Sequence, residues 1–346
     1  MKIAYLVPES GISGGQRVVF QQAEELARRG LAVTLVSPCP PPNWFPLRRA
    51  RWSETEFSHS EALIEADVLV ATFWTTVAPA VRGSRGPVFH LCQGYEADFT
   101  FYAHLREEVR AAYALPTRKL AITPRIEERL RGEGYSPVTF IGQAFDAKEF
   151  PAAGERRFDA EYPTILLVGT FEADVKGIRE TLEALQAARA RGLKFRLRRI
   201  SATSAGEEER AFGLADEHNF GLLPNAMSAA YQSADLLIGP NHAEEGFGLP
   251  ALEALSSGLP VLLSDTPGHR YIAREAATYF PCGNASGLLL ALESVLGDPI
   301  RRQRLSKLGP AEAARFRTAE VGDRLLSEFE RAVRLFERAP ELQEKP

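Results

Sequence analysis

The chain has 346 residues, 45% of them hydrophobic, which is enough for two domains of ordinary size with a core each. A formal net charge of −4 supplies no global basic field of the kind nucleic-acid binding needs, so no nucleic acid is expected as a partner. Cys39, Cys92 and Cys282 lie far apart without CxxC or CxxH pairing, which indicates neither a disulfide framework nor a zinc site and suits a reducing cytoplasm. The first apolar run, IAYLV, is broken by Pro8 and Glu9, and no later run approaches eighteen apolar residues. The expectation is a soluble cytoplasmic protein, at most peripheral on the inner face of a membrane.

In chain order, KIAYLVP reads as a strand, followed by a helix in which Val18, Val19, Ala23, Leu26 and Ala27 recur at helical spacing until Gly30. The turn between them carries Gly11, Gly14 and Gly15, which do not form GxGxxG. The second strand, LAVTLVS, ends in Ser37 with no carboxylate for a ribose, so a dinucleotide-binding reading is disfavoured. PCPPPNWFPLRRARW reads as an extended surface loop. Either its Arg48, Arg49 and Arg51 meet an anionic or lipid-linked acceptor at a membrane face, or its Trp side chains tuck inward and the arginines are solvated. ADVLVATFW, GPVFHLCQGYE, KLAITP and PVTFIGQAF read as further strands between helical patterns, a doubly wound parallel sheet. Ligands sit beyond the carboxyl ends of such strands, which places Gln93, Gly94, Tyr95 and Glu96 at a cleft edge. His90, three residues before Gln93, alternates to the opposite strand face and reads as a satisfied structural histidine.

Residues 151–162 lack periodicity and read as a linker. Beyond them TILLVG, KFRLRRIS, FGLLP and SADLLIGP read as strands, and the end of the chain as a long amphipathic helix. Lys176 stands at a helix start, where the helix dipole disfavours a cation unless an anion joins it. The most informative stretch is residues 241–264, NHAEEGFGLPALEALSSGLPVLLS: a glycine-bearing loop, a helix over 250–257 with Pro250 first and Gly258 just past its end, then a strand. The amides near Gly248 would lack partners and favour an anion. Glu245 and Glu253, seven residues apart between them, can only accept hydrogen bonds and so suit hydroxyl pairs.

This stretch resembles the donor-sugar motif of retaining glycosyltransferases of family 4, in which two glutamates so spaced flank a GFGLP loop. The resemblance runs over nearly the whole chain and implies a GT-B fold, two Rossmann-like doubly wound domains facing across a cleft. Residues 1–150 would bind the acceptor and 163–346 the nucleotide sugar, the last helix returning to the first domain. By residue, Glu245, Gly246, Phe247, Gly248 and Leu249 would hold the donor sugar, Glu253 the ribose hydroxyls and Lys176 the diphosphate. Gly14 and Gly15 resemble a paired-glycine turn that faces the donor phosphates. There are two departures: Thr170 stands where an Arg is expected, and Gln93 where a catalytic-site His is common. A Gln can bond a donor hydroxyl but cannot carry a proton. QGYE resembles a run in a subset that includes rhamnosyltransferases, which tilts the expected donor towards a deoxyhexose on a thymidine nucleotide.

The implied reaction is glycosyl transfer with retention from a nucleotide-diphosphate sugar, without a metal or cofactor. The implied acceptor is a carbohydrate, a lipid-linked group or a small molecule, as in cell-envelope polysaccharide or glycolipid synthesis. Two alternatives stay open on the same fold: a sugar-nucleotide epimerase or phosphorylase, and a nucleotide-sugar-binding protein without activity.

Overall fold

A computed structural model of the chain describes residues 1–59, 63, 65–245 and 247–338. The chain forms two compact units, Met1–Phe145 together with the chain from Phe316 onward, and Asp146–Arg315.

The first unit runs β1 (Lys2–Leu6), α1 (Gly14–Arg28), β2 (Ala32–Ser37), β3 (Arg51–Glu54), β4 (Val68–Ala71), α2 (Trp74–Gly83), β5 (Val88–Cys92), α3 (Arg106–Ala114), β6 (Arg118–Ala121), α4 (Pro124–Gly132) and β7 (Val138–Phe140). Among the described residues its sheet has the order β3-β2-β1-β4-β5-β6-β7, with every pairing parallel. Strands such as VLVA of β4 are buried along their whole length, as a parallel sheet covered on both faces requires. Helix α1 begins where Ser13 accepts from the Gln16 amide. Strand β3 corrects the expectation of a loop through Arg51 and Trp52. It is a short edge strand of partly exposed residues, and pairing along β2 rather than any apolar run defines it.

The second unit runs β8 (Thr164–Val168), α5 (Ile178–Ala190), β9 (Arg196–Ser201), α6 (Glu207–Ala211), β10 (Glu217–Phe220), α7 (Pro224–Ser233), β11 (Leu236–Gly239), α8 (Leu249–Ser256), β12 (Val261–Ser264), α9 (Pro267–Ala273), β13 (Ala277–Phe280), α10 (Ala285–Leu296) and α11 (Pro299–Ala313). Its sheet has the order β10-β9-β8-β11-β12-β13, again all parallel. Leu167, Leu185, Leu236, Leu262 and Leu292 centre its core. The strand expected at FGLLP lies instead at Glu217–Phe220, an edge strand whose polar, half-exposed residues carry no apolar signal. Residues 151–162 have no regular structure but are held on this unit, where Arg156 donates to the carbonyls of Ala234, Tyr231 and Ser257.

The last helix, α12 (Thr318–Glu337), buries Val321, Leu325, Phe329 and Ala332 on the first unit. The Phe329 ring meets Phe89 edge-on with centroids 4.8 Å apart. Truncating so fully buried a ring costs about 3–5 kcal/mol.

In both units the strand order reverses direction at one point, between β1 and β4 in the first and between β8 and β11 in the second. Loops leaving the carboxyl ends of the strands at such a point form the binding crevice of doubly wound sheets.

Candidate functional site

The loops after β8 and β11 bring Lys176 and Glu245 together. Gly177 has φ +61, and a Cβ there would lie 2.4 Å from the Pro240 carbonyl oxygen, so only glycine lets the chain entering α5 come this close to the end of β11. The His242 amide then donates to the Val175 carbonyl at 2.8 Å and ties the two loops by their backbones. On this frame the Lys176 ammonium donates to Glu245 at 2.6 Å, with both side chains partly exposed. Neither α5 nor α8 is capped by a side chain. Their first amides are therefore open to an anion at the sheet edge that carries Lys176.

Gly248 is left-handed, with φ +88, and starts α8, so Pro250 occupies the second helical position rather than the first. Gly258, φ +66, follows the helix end. His269 and Asn241 support the loop from below, and a Cβ on Gly248 would meet His269 Nε2 at 3.2 Å and Asn241 Nδ2 at 3.5 Å. The His269 Nδ1–H donates to the Ser264 carbonyl at 2.9 Å, which leaves Nε2 unprotonated towards Gly248. Burial pushes this imidazole down to about 4, so it is neutral. The Ser264 hydroxyl in turn donates to the Asn241 carbonyl. Neither His269 nor Asn241 stood out in the sequence, because the contact joins a residue of α9 to the loop after β11. Phe247 is buried and Leu249 half-buried. Gly246 lies outside the described residues. Glu253 is buried on α8, where Tyr231 of α7 donates to its Oε2 at 2.7 Å.

At Thr170, where a cation was expected, the neighbouring guanidinium serves the backbone. Arg199 of β9 is fully buried and donates to the carbonyls of Leu167, Gly169 and Ile200 while pairing with Glu209 at 2.7 Å. Every one of these bonds is internal, so Arg199 shapes the turn after β8 and is not presented to a ligand. Arg179 lies over the Phe171 ring at 4.7 Å and pairs with Glu208.

In the first unit two separately read features meet. The Gln93 amide, just past β5, donates to the Gly15 carbonyl at 3.1 Å, and a Cβ on Gly15 would lie 3.3 Å from Gln93 Nε2. Gly14 opens α1 beside it. The residues after Gln93 turn inward. Gly94 packs on Phe99, Tyr95 is 3% exposed and Glu96 6%, so the QGYE side chains beyond Gln93 are parts of the core and not an open edge. His90 is fully buried against Tyr113, with ring centroids 4.5 Å apart, but its two ring nitrogens make no hydrogen bond. It is structural without being satisfied, and burial beside Lys119 holds it neutral, its pKa well below the usual histidine value.

In the proline-rich loop the Trp44 indole donates to the Ser10 carbonyl and the Trp52 indole to that of Cys39, and both rings pack on Phe20 of α1. Arg48, Arg49 and Arg51 are exposed, and the amides of Arg48, Arg49 and Ala50 all donate to Glu24 Oε1 at 2.9 Å. The tucked-in arrangement is the one observed. It leaves a groove of about 510 Å³ walled by Pro42, Trp44, Phe45, Leu47 and Trp52. Among the described residues no helix is long and apolar enough to cross a membrane, and no cluster of three His, Cys, Asp or Glu side chains is placed to hold a metal.

Residues 153–311, within the second unit, match the family of glycosyl transferases group 1. A phosphatidyl-myo-inositol mannosyltransferase of Mycobacterium leprae is 29% identical over 183 residues, 49% of this chain and 48% of that protein. A glycogen synthase of Mycobacterium tuberculosis is 31% identical over 216 residues, 58% of this chain and 49% of that protein. The chain thus spans about half the length of these relatives. The solved structure of Anabaena Alr3699/HepE in complex with UDP and glucose superposes with a TM-score of 0.76 at 14% identity, over 95% of this chain and 99% of that one. That superposition spans both parallel sheets of this chain, and the fold is GT-B.

Proposed function

We propose that the chain is a glycosyltransferase that moves a sugar from a nucleotide-diphosphate donor to an acceptor with retention of anomeric configuration. The observation that carries this reading is the Lys176–Glu245 pair, 2.6 Å long, set where the β8 and β11 loops meet beside two helix starts without side-chain caps. An incoming diphosphate takes over the Lys176 ammonium and the amides of α5 and α8. Glu245, released from the lysine, then accepts from the hydroxyls of the donor sugar, and Glu253, steadied by Tyr231, accepts from those of the ribose.

In the reaction the bond from the anomeric carbon to the diphosphate oxygen breaks. The acceptor oxygen bonds to that carbon from the same face, and the departing diphosphate takes the acceptor proton. Lys176 and the helix amides stabilise the charge that develops on the leaving group. No motif singles out a protein nucleophile. The match to glycosyl transferases group 1 over 153–311 supports the assignment of the donor to the second unit. The acceptor falls to the first unit, and the exposed Arg48, Arg49 and Arg51 beside an aromatic groove suit an anionic, lipid-linked one. The test is proton NMR of the product formed from a nucleotide sugar. Retained configuration supports the reading, and inversion refutes its stereochemistry.

A second reading, a nucleotide-sugar-binding protein without transfer, is favoured by Gln93, which is engaged with Gly15 and cannot carry a proton. It predicts donor binding with no turnover on any acceptor.

A further inference from the structure

Tyr113 of α3 places its hydroxyl between two acceptors, 2.5 Å from Glu96 Oε2 and 3.1 Å from the Gly94 carbonyl oxygen. A phenol carries one proton, and a carbonyl oxygen cannot donate. If Glu96 were ionised, carboxylate and carbonyl would compete for that proton and one contact would be a buried oxygen pair without hydrogen. Both contacts are hydrogen bonds only when Glu96 itself carries a proton, gives it to Tyr113, and Tyr113 gives its own to Gly94.

The surroundings agree. Glu96 is 6% exposed, and among the described residues no cation is paired with it. The titratable groups that face it are Tyr113 from α3, the Cys92 thiol from β5 and the Tyr102 hydroxyl from the turn Thr100–Leu105. The nearest buried ammonium, Lys119 of β6, acts on Cys92 and His90 and donates to Thr117 Oγ1 at 2.5 Å. Burial pushes the Glu96 carboxyl up to about 7. The rest of the segment is pinned by other bonds, Asp98 to Arg129 at 2.7 Å and the Ala97 carbonyl to Arg106 at 3.0 Å. Gly94, next to Gln93, depends on Tyr113.

We propose that Glu96 is a neutral acid in the folded chain and that the relay Glu96 to Tyr113 to Gly94 is a proton-dependent clamp that positions Gln93 against Gly15. Glu96 and Tyr113 are positioning residues. Loss of the Glu96 proton turns Tyr113 to the carboxylate, frees the Gly94 carbonyl and loosens the loop. The clamp is independent of the proposed transfer reaction, and only its effect on turnover rests on that reading.

The test uses the full chain with carboxyl-¹³C glutamate. One carboxyl is expected to titrate near neutrality, to be absent in Glu96→Gln and to shift in Tyr113→Phe, so either variant assigns it. A Glu96 resonance that titrates in the ordinary range, about 4.3, overturns the proposal. Amide hydrogen exchange over residues 93–98, corrected for intrinsic rates, gives the second readout. Between about pH 6 and 9 the wild type should lose protection about tenfold, the size of one net hydrogen bond. Glu96→Gln, whose amide still donates to Tyr113, should hold its protection throughout, and Tyr113→Phe should lack it throughout. A pH-dependent loss in Glu96→Gln equal to that of the wild type also overturns the proposal. If no nucleotide sugar is ever turned over, these two readouts stand unaffected.

Discussion

The Lys176 ammonium and the Glu245 carboxylate meet at 2.6 Å across two loops that are 69 residues apart in sequence. Both side chains are partly exposed, at 27% and 20%, so their mutual attraction adds little to stability and each can be recruited by a ligand. Lys176→Ala should therefore leave the melting temperature within a degree or two and reduce turnover about 100- to 1000-fold, the usual cost of one charge-stabilising donor. Steady-state kinetics and a melting curve on the same preparation check both halves.

Gly177 has no tolerance for a side chain. Gly177→Ala combines left-handed backbone with a Cβ 2.4 Å from the Pro240 carbonyl, and backbone on both sides must shift. The variant should lose about 1–3 kcal/mol of stability in denaturant melts and, by moving Lys176, lose activity out of proportion to the loss of fold. Gly30, also left-handed but with open space around it, is the control. Gly30→Ala should cost stability by strain alone and leave turnover unchanged.

His269 fixes the sign of one pH effect. Its folded value of about 4 lies below the ordinary 6.5, so between these values the unfolded chain binds more protons. The stability it contributes is fully present above about 6.5 and is lost as pH falls through that interval towards 4. Melting temperatures measured across the interval should fall more steeply for the wild type than for His269→Gln, whose curve should lie flatter by a few kcal/mol over the range. Equal slopes would show that the imidazole under Gly248 is not held neutral.

The exposed arginines of the proline-rich loop allow a binding test. Replacement of Arg48, Arg49 and Arg51 by Ser removes three guanidiniums without touching the buried Trp44. Partitioning onto vesicles of anionic lipid should weaken by about 1 kcal/mol per charge removed if this face meets a lipid-linked acceptor. Unchanged partitioning removes that acceptor from the account.

What the sequence showed and what it hid divide along a physical line. The loop and helix over residues 241–258 were legible because their signals are local: Pro250 near a helix start, Gly258 past its end and glutamates flanking two glycines sit within one short stretch. Strands such as β4 and β11 were legible because a parallel strand buried on both faces must be apolar throughout. Strands β3 and β10 were not, since an edge strand is defined by its neighbour and carries polar, half-exposed residues. Arg199, His269 and the Glu96–Tyr113 contact were invisible for the same reason. Each acquires its meaning from a partner on another element, and no spacing along the chain encodes it. QGYE misled in part: Gln93 does stand at the sheet edge, but Tyr95 and Glu96 are core residues whose polar groups are satisfied inward.

The most direct measurement is a thermal-shift screen of nucleotide sugars against the wild type, Lys176→Ala and Glu253→Ala, each compared with its own ligand-free melt. A donor present at 100 times its dissociation constant adds about 2.7 kcal/mol to the folded state, which is several degrees for a unit of this size. The account predicts that one nucleotide sugar raises the wild-type melting temperature and that both variants lose most of that rise. A wild type that no nucleotide sugar stabilises, or variants that respond as it does, would contradict the assignment of Lys176, Glu245 and Glu253 to a donor site.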